Sequence, residues 1–162
     1  MNIKSLDDVA IRTATNRDVD RVIALVFSVL SEFGLPADRH SKDSDLTDIE
    51  GNYIQPGGAF ELLEDGMGNL IGTVGLYSVD NDTCELRKMY FVPEIRGLGL
   101  GKQLLARMIA KARQLGFKKM QLETVRVLEA AVHLYVSAGF VPIETENVSA
   151  RCDQAYSLDL TT

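Results

Sequence analysis

Residues 83–105 read TCELRKMYFVPEIRGLGLGKQLL, and this stretch decides the fold. TCELRKMYFV reads as a strand, Pro93 breaks it, and Gly97, Gly99 and Gly101 lie between the strand's end and the start of a helix. Glycine removes the side chain that would block an approaching ligand. A helix N-terminus adds unpaired N–H groups and a partial positive charge, so a phosphate or pyrophosphate fits there. The loop alone does not say which phosphate.

Downstream, Leu104, Leu105, Met108, Ile109, Ala112 and Leu115 form a helical stripe that Gly116 ends. A strand follows at 120–125 (MQLETV), then a helix at 128–139 (LEAAVHLYVSAG) closed by Gly139, and two strands around VPIE (141–144) and AYSLDL (155–160). Upstream, FELLE (60–64), the turn DGMGN, LIGTVGLYSV (70–79) and the turn DND lead into the quoted strand as an antiparallel meander. A short strand at 11–15 precedes a helix opened by Asn16. That helix carries Val19, Val22, Ile23, Val26, Phe27, Leu30 and Phe33, and Gly34 and Pro36 close it. Residues 36–58 are acidic and polar, with a short helix predicted at 45–53 and a Pro-Gly-Gly turn after it. The order is β-α-α-β-β-β-α-β-α-β-β. The expected class is α/β (α+β), a mixed, mostly antiparallel sheet of about seven strands flanked by about four helices.

The chain has 162 residues, 46% apolar and 25% charged, the composition of a soluble globular protein. At that length one core suffices, so one domain spanning 1–162 is expected. A net charge of −6 and a pI near 4.9 argue against nucleic-acid and anionic-membrane partners, which need basic patches. No signal-length or membrane-length apolar run is present in the sequence, so a cytoplasmic protein is expected. Cys84 and Cys152 have no framework spacing and are read as reduced. With them, His40 and His133 make no zinc-ligand pattern; no metal is expected, and both histidines are read as surface residues.

Familiar phosphate loops fail here. A P-loop would need glycine at Arg96 and a hydroxyl at Gln103. A dinucleotide fingerprint would need glycine at Lys102 or at Leu104. What the segment does match is Arg/Gln-x-x-Gly-x-Gly/Ala, at Arg96, Gly99 and Gly101. Farther on, LEAAVHLYVSAGF carries A-x-x-L-Y-x-x-x-G-F. In this order and spacing, residues 60–140 resemble the GNAT superfamily of acetyl-CoA-dependent N-acetyltransferases.

That resemblance implies a cytosolic enzyme that moves an acetyl group from acetyl-CoA, with no metal, to a primary amine on a small molecule or peptide. The backbone of Arg96, Gly97, Leu98, Gly99, Leu100, Gly101 and Lys102 would cradle the CoA pyrophosphate, and Met89, Tyr90 and Phe91 would border the pantetheine arm. A bulge would splay this strand from the one at 120–125, leaving an edge that the pantetheine completes. Glu85 is the candidate base, with Glu123 in reserve; Glu85 also reads as a strand residue paired with Arg87 or Lys88. Tyr135 sits where the family often uses a general acid, on a face that Ala131, Leu134 and Ala138 would equally make core. Leu128 stands where the family helix often has asparagine, which puts one polar CoA contact in doubt. No G-x-S-x-G elbow is present, so direct transfer is expected rather than an acyl-enzyme. The acceptor side would involve Glu32, Asp38, Asp43, Asp45 and Asp48, either attracting an amine or forming a solvated face, and the segment 147–156. A silent acetyl-CoA sensor is the competing class. Either a monomer or a homodimer is compatible with the exposed sheet edges.

Overall fold

The computed structural model describes residues 2–144 and 152–162. Seven strands form one sheet: β1 (Ala10–Thr13), β2 (Ala59–Glu64), β3 (Leu70–Ser78), β4 (Thr83–Phe91), β5 (Lys119–Thr124), β6 (Val141–Ile143) and β7 (Gln154–Asp159). Their spatial order is β1-β2-β3-β4-β5-β7-β6, and every neighbouring pair is antiparallel except β4 with β5. That parallel pair requires a crossover, which α2 (Leu100–Gln114) supplies. The meander and the mixed sheet match the expectation from sequence.

Three α-helices cover the faces: α1 (Val19–Glu32), α2 and α3 (Glu129–Ser137). The short helix expected at 45–53 is two tighter and wider pieces, a 3₁₀ turn at Ser44–Asp48 and a π turn at Glu50–Ile54. α1 begins later than Asn16 because Thr15 and Asp18 form a capping box around a 3₁₀ turn first. All three helices end alike. Gly34, Gly116 and Gly139 take positive φ, and the N–H groups of Leu35, Phe117 and Phe140 reach back to the carbonyls of Leu30, Ala112 and Tyr135. This Schellman closure satisfies carbonyls that the helix leaves open and docks the apolar residue after the glycine.

Alternation along the strands separates two cores. Leu104, Leu105 and Met108 of α2 pack with Leu63, Val74, Leu86 and Met120 on one face. Val22, Val26 and Leu30 of α1 pack with Leu46, Tyr53, Phe60 and Leu62 on the other. Each fully buried side chain of leucine size stabilises by roughly 1.5–3 kcal/mol. On the α2 face, buried Glu61 accepts hydrogen bonds from Arg107 Nε (3.0 Å) and Lys111 Nζ (3.2 Å). Burial alone would raise the Glu61 carboxyl, but these cations bring it below its ordinary value. The triad fixes the rotation of α2, and with it the aim of its N-terminus. Among the described residues, no helix is long and apolar enough to cross a membrane.

Candidate active site

The site begins where the sheet opens. β4 and β5 pair through Thr83 with Lys119, Cys84 with Met120 and Glu85 with Gln121, and then part. On the other side of β4 the register steps from Gly75 opposite Arg87 to Thr73 opposite Tyr90, so Val74 faces both Lys88 and Met89. This bulge bends β4 away from β5. Lys88 sits at its centre with φ +55°, a left-handed backbone that costs a non-glycine residue on the order of 1–3 kcal/mol. Thr73 Oγ1 donates to the Lys88 carbonyl at 2.7 Å, and Lys88 Nζ donates to Asp43 Oδ1 at 2.7 Å with Asp45 Oδ1 at 3.5 Å.

Beyond β4, a 3₁₀ turn at Pro93–Ile95 hands the chain to the glycine loop. Gly97 and Gly99 take φ of +81° and +79°, and Gly99 is the N-cap of α2. The first N–H groups of α2 have no intrahelical acceptor and point out of the helix end. Gly101 is different: a Cβ there would meet Leu134 Cδ2 at 3.3 Å, so it is the close approach of α3 that favours a small residue. The Arg96 side chain turns back from the loop, donating from Nε to the Phe91 carbonyl at 3.1 Å and pairing with Glu32 of α1. Its guanidinium fastens the loop to α1 and to the end of β4.

These features share a cavity of about 670 Å³. Along one wall lie Met89, Tyr90, Phe91, Arg96, Gly97, Gly99, Leu100, Gly101 and Lys102; Leu98 turns outward, 43% exposed. Glu85, Glu123 and Tyr135 line the same cavity, so β4, β5 and α3 bring all the candidate chemical groups together. His40 and His133 are exposed. Tyr135 is buried beside Phe140, with ring centroids 5.9 Å apart. Burial first, and nearby Tyr90 second, push its phenol well above the ordinary value. Among the described residues, no hydrogen bond engages its hydroxyl. Glu85 Oε1 accepts from Arg87 Nε at 2.8 Å, and the Arg87 guanidinium stacks 3.8 Å over the Tyr77 ring. The candidate base is therefore also the paired strand carboxylate of the second reading. Cys84 is buried, which pushes its thiol up to about 12 and removes it as a nucleophile.

Much of the acidic run is tied to partners, while Glu32 and Asp48 stay exposed. Glu32 pairs with Arg96, Asp43 and Asp45 with Lys88, and Asp45 also accepts from the Tyr53 hydroxyl. Asp48 accepts from Asn16 Nδ2 at 2.9 Å and from the Gly51 N–H at 2.9 Å. The cations that pair with Glu32, Asp43 and Asp45 are distant in sequence, and spacing along the chain gives no sign of them. Of the segment 147–156, residues 147–151 lie outside the described residues; Cys152 lines the cavity.

Sequence reasoning missed Lys88, although a signal was present. The core-facing residues of β4 are even-numbered at Cys84 and Leu86 and odd-numbered at Met89 and Phe91. A change of parity inside one strand means one extra residue, and it falls at Lys88. The α3 start, Val127, Leu128, Glu129 and Ala130, also lines the cavity and was noticed only for the departure at Leu128.

Comparison with known proteins places this geometry. The model of the acetyltransferase (GNAT) family matches residues 24–140. The uncharacterized N-acetyltransferase YjgM of Escherichia coli (strain K12) is 37% identical over 138 residues, covering 82% of each chain. Among solved structures, an acetyltransferase of the GNAT family from Staphylococcus aureus Mu50 superposes with a TM-score of 0.85 at 27% identity, over 94% of this chain and 99% of that one. N-acetylglutamate synthase from Neisseria gonorrhoeae, complexed with coenzyme A and N-acetyl-glutamate, superposes with a TM-score of 0.68 at 23% identity, over 95% of this chain and 35% of the other.

Proposed function

The chain belongs to the acetyltransferase (GNAT) family, and from that premise we propose that it moves an acetyl group from acetyl-CoA to a primary amine of a small molecule or peptide by direct transfer. The observation that carries this reading is the shared cavity. An unpaired edge of β4, the helix-terminal glycine loop and Tyr135 all open onto it. The fit to CoA is good in kind. Residues 96–102 offer main-chain N–H groups to a pyrophosphate, Lys102 adds a cation, and Met89 to Phe91 offer main-chain groups to an extended amide-bearing arm. In this reading residues 1–162 act as one acyltransferase domain.

Bound acetyl-CoA supplies an activated thioester carbonyl. The remaining work falls to this chain. An alkyl amine with a pKa near 10.4 is neutral on the order of one part in a thousand at pH 7, so the attack needs a route for its proton. Glu85, directly or through water, takes that proton; its bond to Arg87 keeps the carboxylate oriented, with Glu123 as the second candidate. N–H groups at the bulge face the charge that develops on the carbonyl oxygen. The C–N bond forms, the C–S bond breaks, and Tyr135 gives its proton to the departing thiolate. A phenol raised by burial is a weak acid, but the same burial raises the proton affinity of the thiolate beside it.

N-acetylglutamate synthase, complexed with coenzyme A and N-acetyl-glutamate, supports an amino-acid-like acceptor as one class to try. The test is thiol release from acetyl-CoA across amino acids, polyamines, aminoglycosides and short peptides. Release with one class establishes the reaction and its acceptor, whereas CoA binding with no release from any class contradicts the transfer.

A further inference from the structure

The bulge and the wall opposite it are joined by a cluster that the reaction above does not use. Lys88 is buried, with 6% of its side chain exposed, between Asp43, which is fully buried, and Asp45. Asp43 is itself held, its Oδ2 accepting from the Asp38 N–H at 3.0 Å, and Asp45 is held by the Tyr53 hydroxyl. The ammonium thus bridges β4 to a segment 45 residues away in sequence, the one that carries Lys42 on the cavity wall.

This is an unusual place for a lysine. Its backbone is left-handed, where glycine is the default residue, and its ammonium is removed from water. A buried ion pair is weak evidence of a stability role, because apolar residues of similar volume often do as well. What the pair does secure is geometry. With the Thr73 hydroxyl on the carbonyl of Lys88 and two carboxylates on its side chain, the bulge is gripped at both ends.

We propose that Lys88 is a positioning residue. Its ion pair with Asp43 and Asp45 holds the β4 bulge in the conformation that turns main-chain N–H groups toward the thioester, and fixes the 38–45 wall against it, so that the acetyl and acceptor sides are assembled as one unit. The inference rests on the acetyl-transfer reading and deepens it.

Three variants of Lys88 in an Asp43→Asn background, which removes the fully buried one of the two charges that a lost lysine would strand, separate the two parts of the claim, each read against the native protein as parent. Lys88→Met loses the tie and keeps a residue that disfavours positive φ; its kcat falls at least about tenfold. Lys88→Gly loses the tie but favours the bulge backbone; its kcat stays within about threefold of the parent while the acceptor KM rises about tenfold. Lys88→Arg, tested against native Asp43 as well, restores much of the acceptor KM. CoA titration and thermal melting accompany each variant, and the CoA affinity is expected to be unchanged. If Lys88→Met does not fold, the Lys88→Gly and Lys88→Arg pair still decides, since a merely structural tie lowers the melting temperature and leaves the KM alone. Folded variants with parental kcat and KM overturn the proposal, as do Met and Gly variants that lose kcat equally. A parent protein that neither binds CoA nor releases thiol removes the acetyl-transfer reading, and this inference with it; an active parent with indifferent variants removes this inference alone.

Discussion

The two sides of the cavity are built in different ways. The side proposed for CoA is one continuous piece, β4, the glycine loop and the first turns of α2, whose turns are set by local glycines even though Arg96 also ties the loop to α1. The other side is assembled from the end of α1, the 35–45 segment and β4, and ion pairs between residues far apart hold it: Arg96 with Glu32, 64 positions away, and Lys88 with Asp43, 45 away. A ligand shared by many enzymes can be met by a local, repeatable piece of chain. On the proposed reading, an acceptor peculiar to one enzyme would be met by the side whose pairs can be exchanged singly.

The largest effect expected from breaking this division is at the chemistry itself. Tyr135→Phe removes the proposed proton donor and little volume, so kcat is expected to fall about 10²-fold or more with CoA affinity unchanged, read by thiol release and direct titration. A matching loss of CoA affinity would move Tyr135 into the packing of the CoA side. Next comes Gly99→Val, which places a β-branched side chain at φ +79°. Such a residue strains the loop by roughly 1–2 kcal/mol or more, and the CoA dissociation constant is expected to rise at least about tenfold.

The smallest effect is on stability, at the start of α1. Asp18 is held at about 2, chiefly by hydrogen bonds from Arg12, against the opposing pull of burial and with help from the Thr15 N–H. Its value is depressed relative to an unfolded aspartate near 3.9, so its contribution is present above about pH 4 and is lost as the pH falls toward 2. With half-exposed Arg12 screened by solvent, Asp18→Asn is expected to cost about 1–2 kcal/mol at pH 7. That gap from the parent should close by about pH 2 in denaturant titrations, with CoA affinity unaffected at neutral pH.

The strand order of the meander, the three glycine-closed helices and the turn of the glycine loop were legible because each has a local cause. Gly34, Gly116 and Gly139 mark helix ends that need positive φ, and Gly97 and Gly99 mark a loop with the same need. The grouping of Glu85, Glu123 and Tyr135 could be expected only through resemblance to a family, since β4, β5 and α3 meet by topology rather than by spacing. The fate of the acids was hidden for the same reason. Nothing adjacent to Asp43 or Glu32 announces Lys88 or Arg96 as partner, and the acids divide between buried Asp43 and exposed Glu32 and Asp48. Lys88 stands between these cases. The parity change between Leu86 and Met89 is written in the sequence, but which carboxylates grip the bulge is not.

The central claim is that the glycine loop at the head of α2 holds CoA, and calorimetric titration of CoA into the parent and the Gly99→Val variant tests it most directly. Saturable binding of one CoA per chain is expected in the parent, and markedly weaker binding in a variant whose fold, by circular dichroism and melting, is intact. Equal affinity in the two proteins, or no binding by the parent, would contradict it.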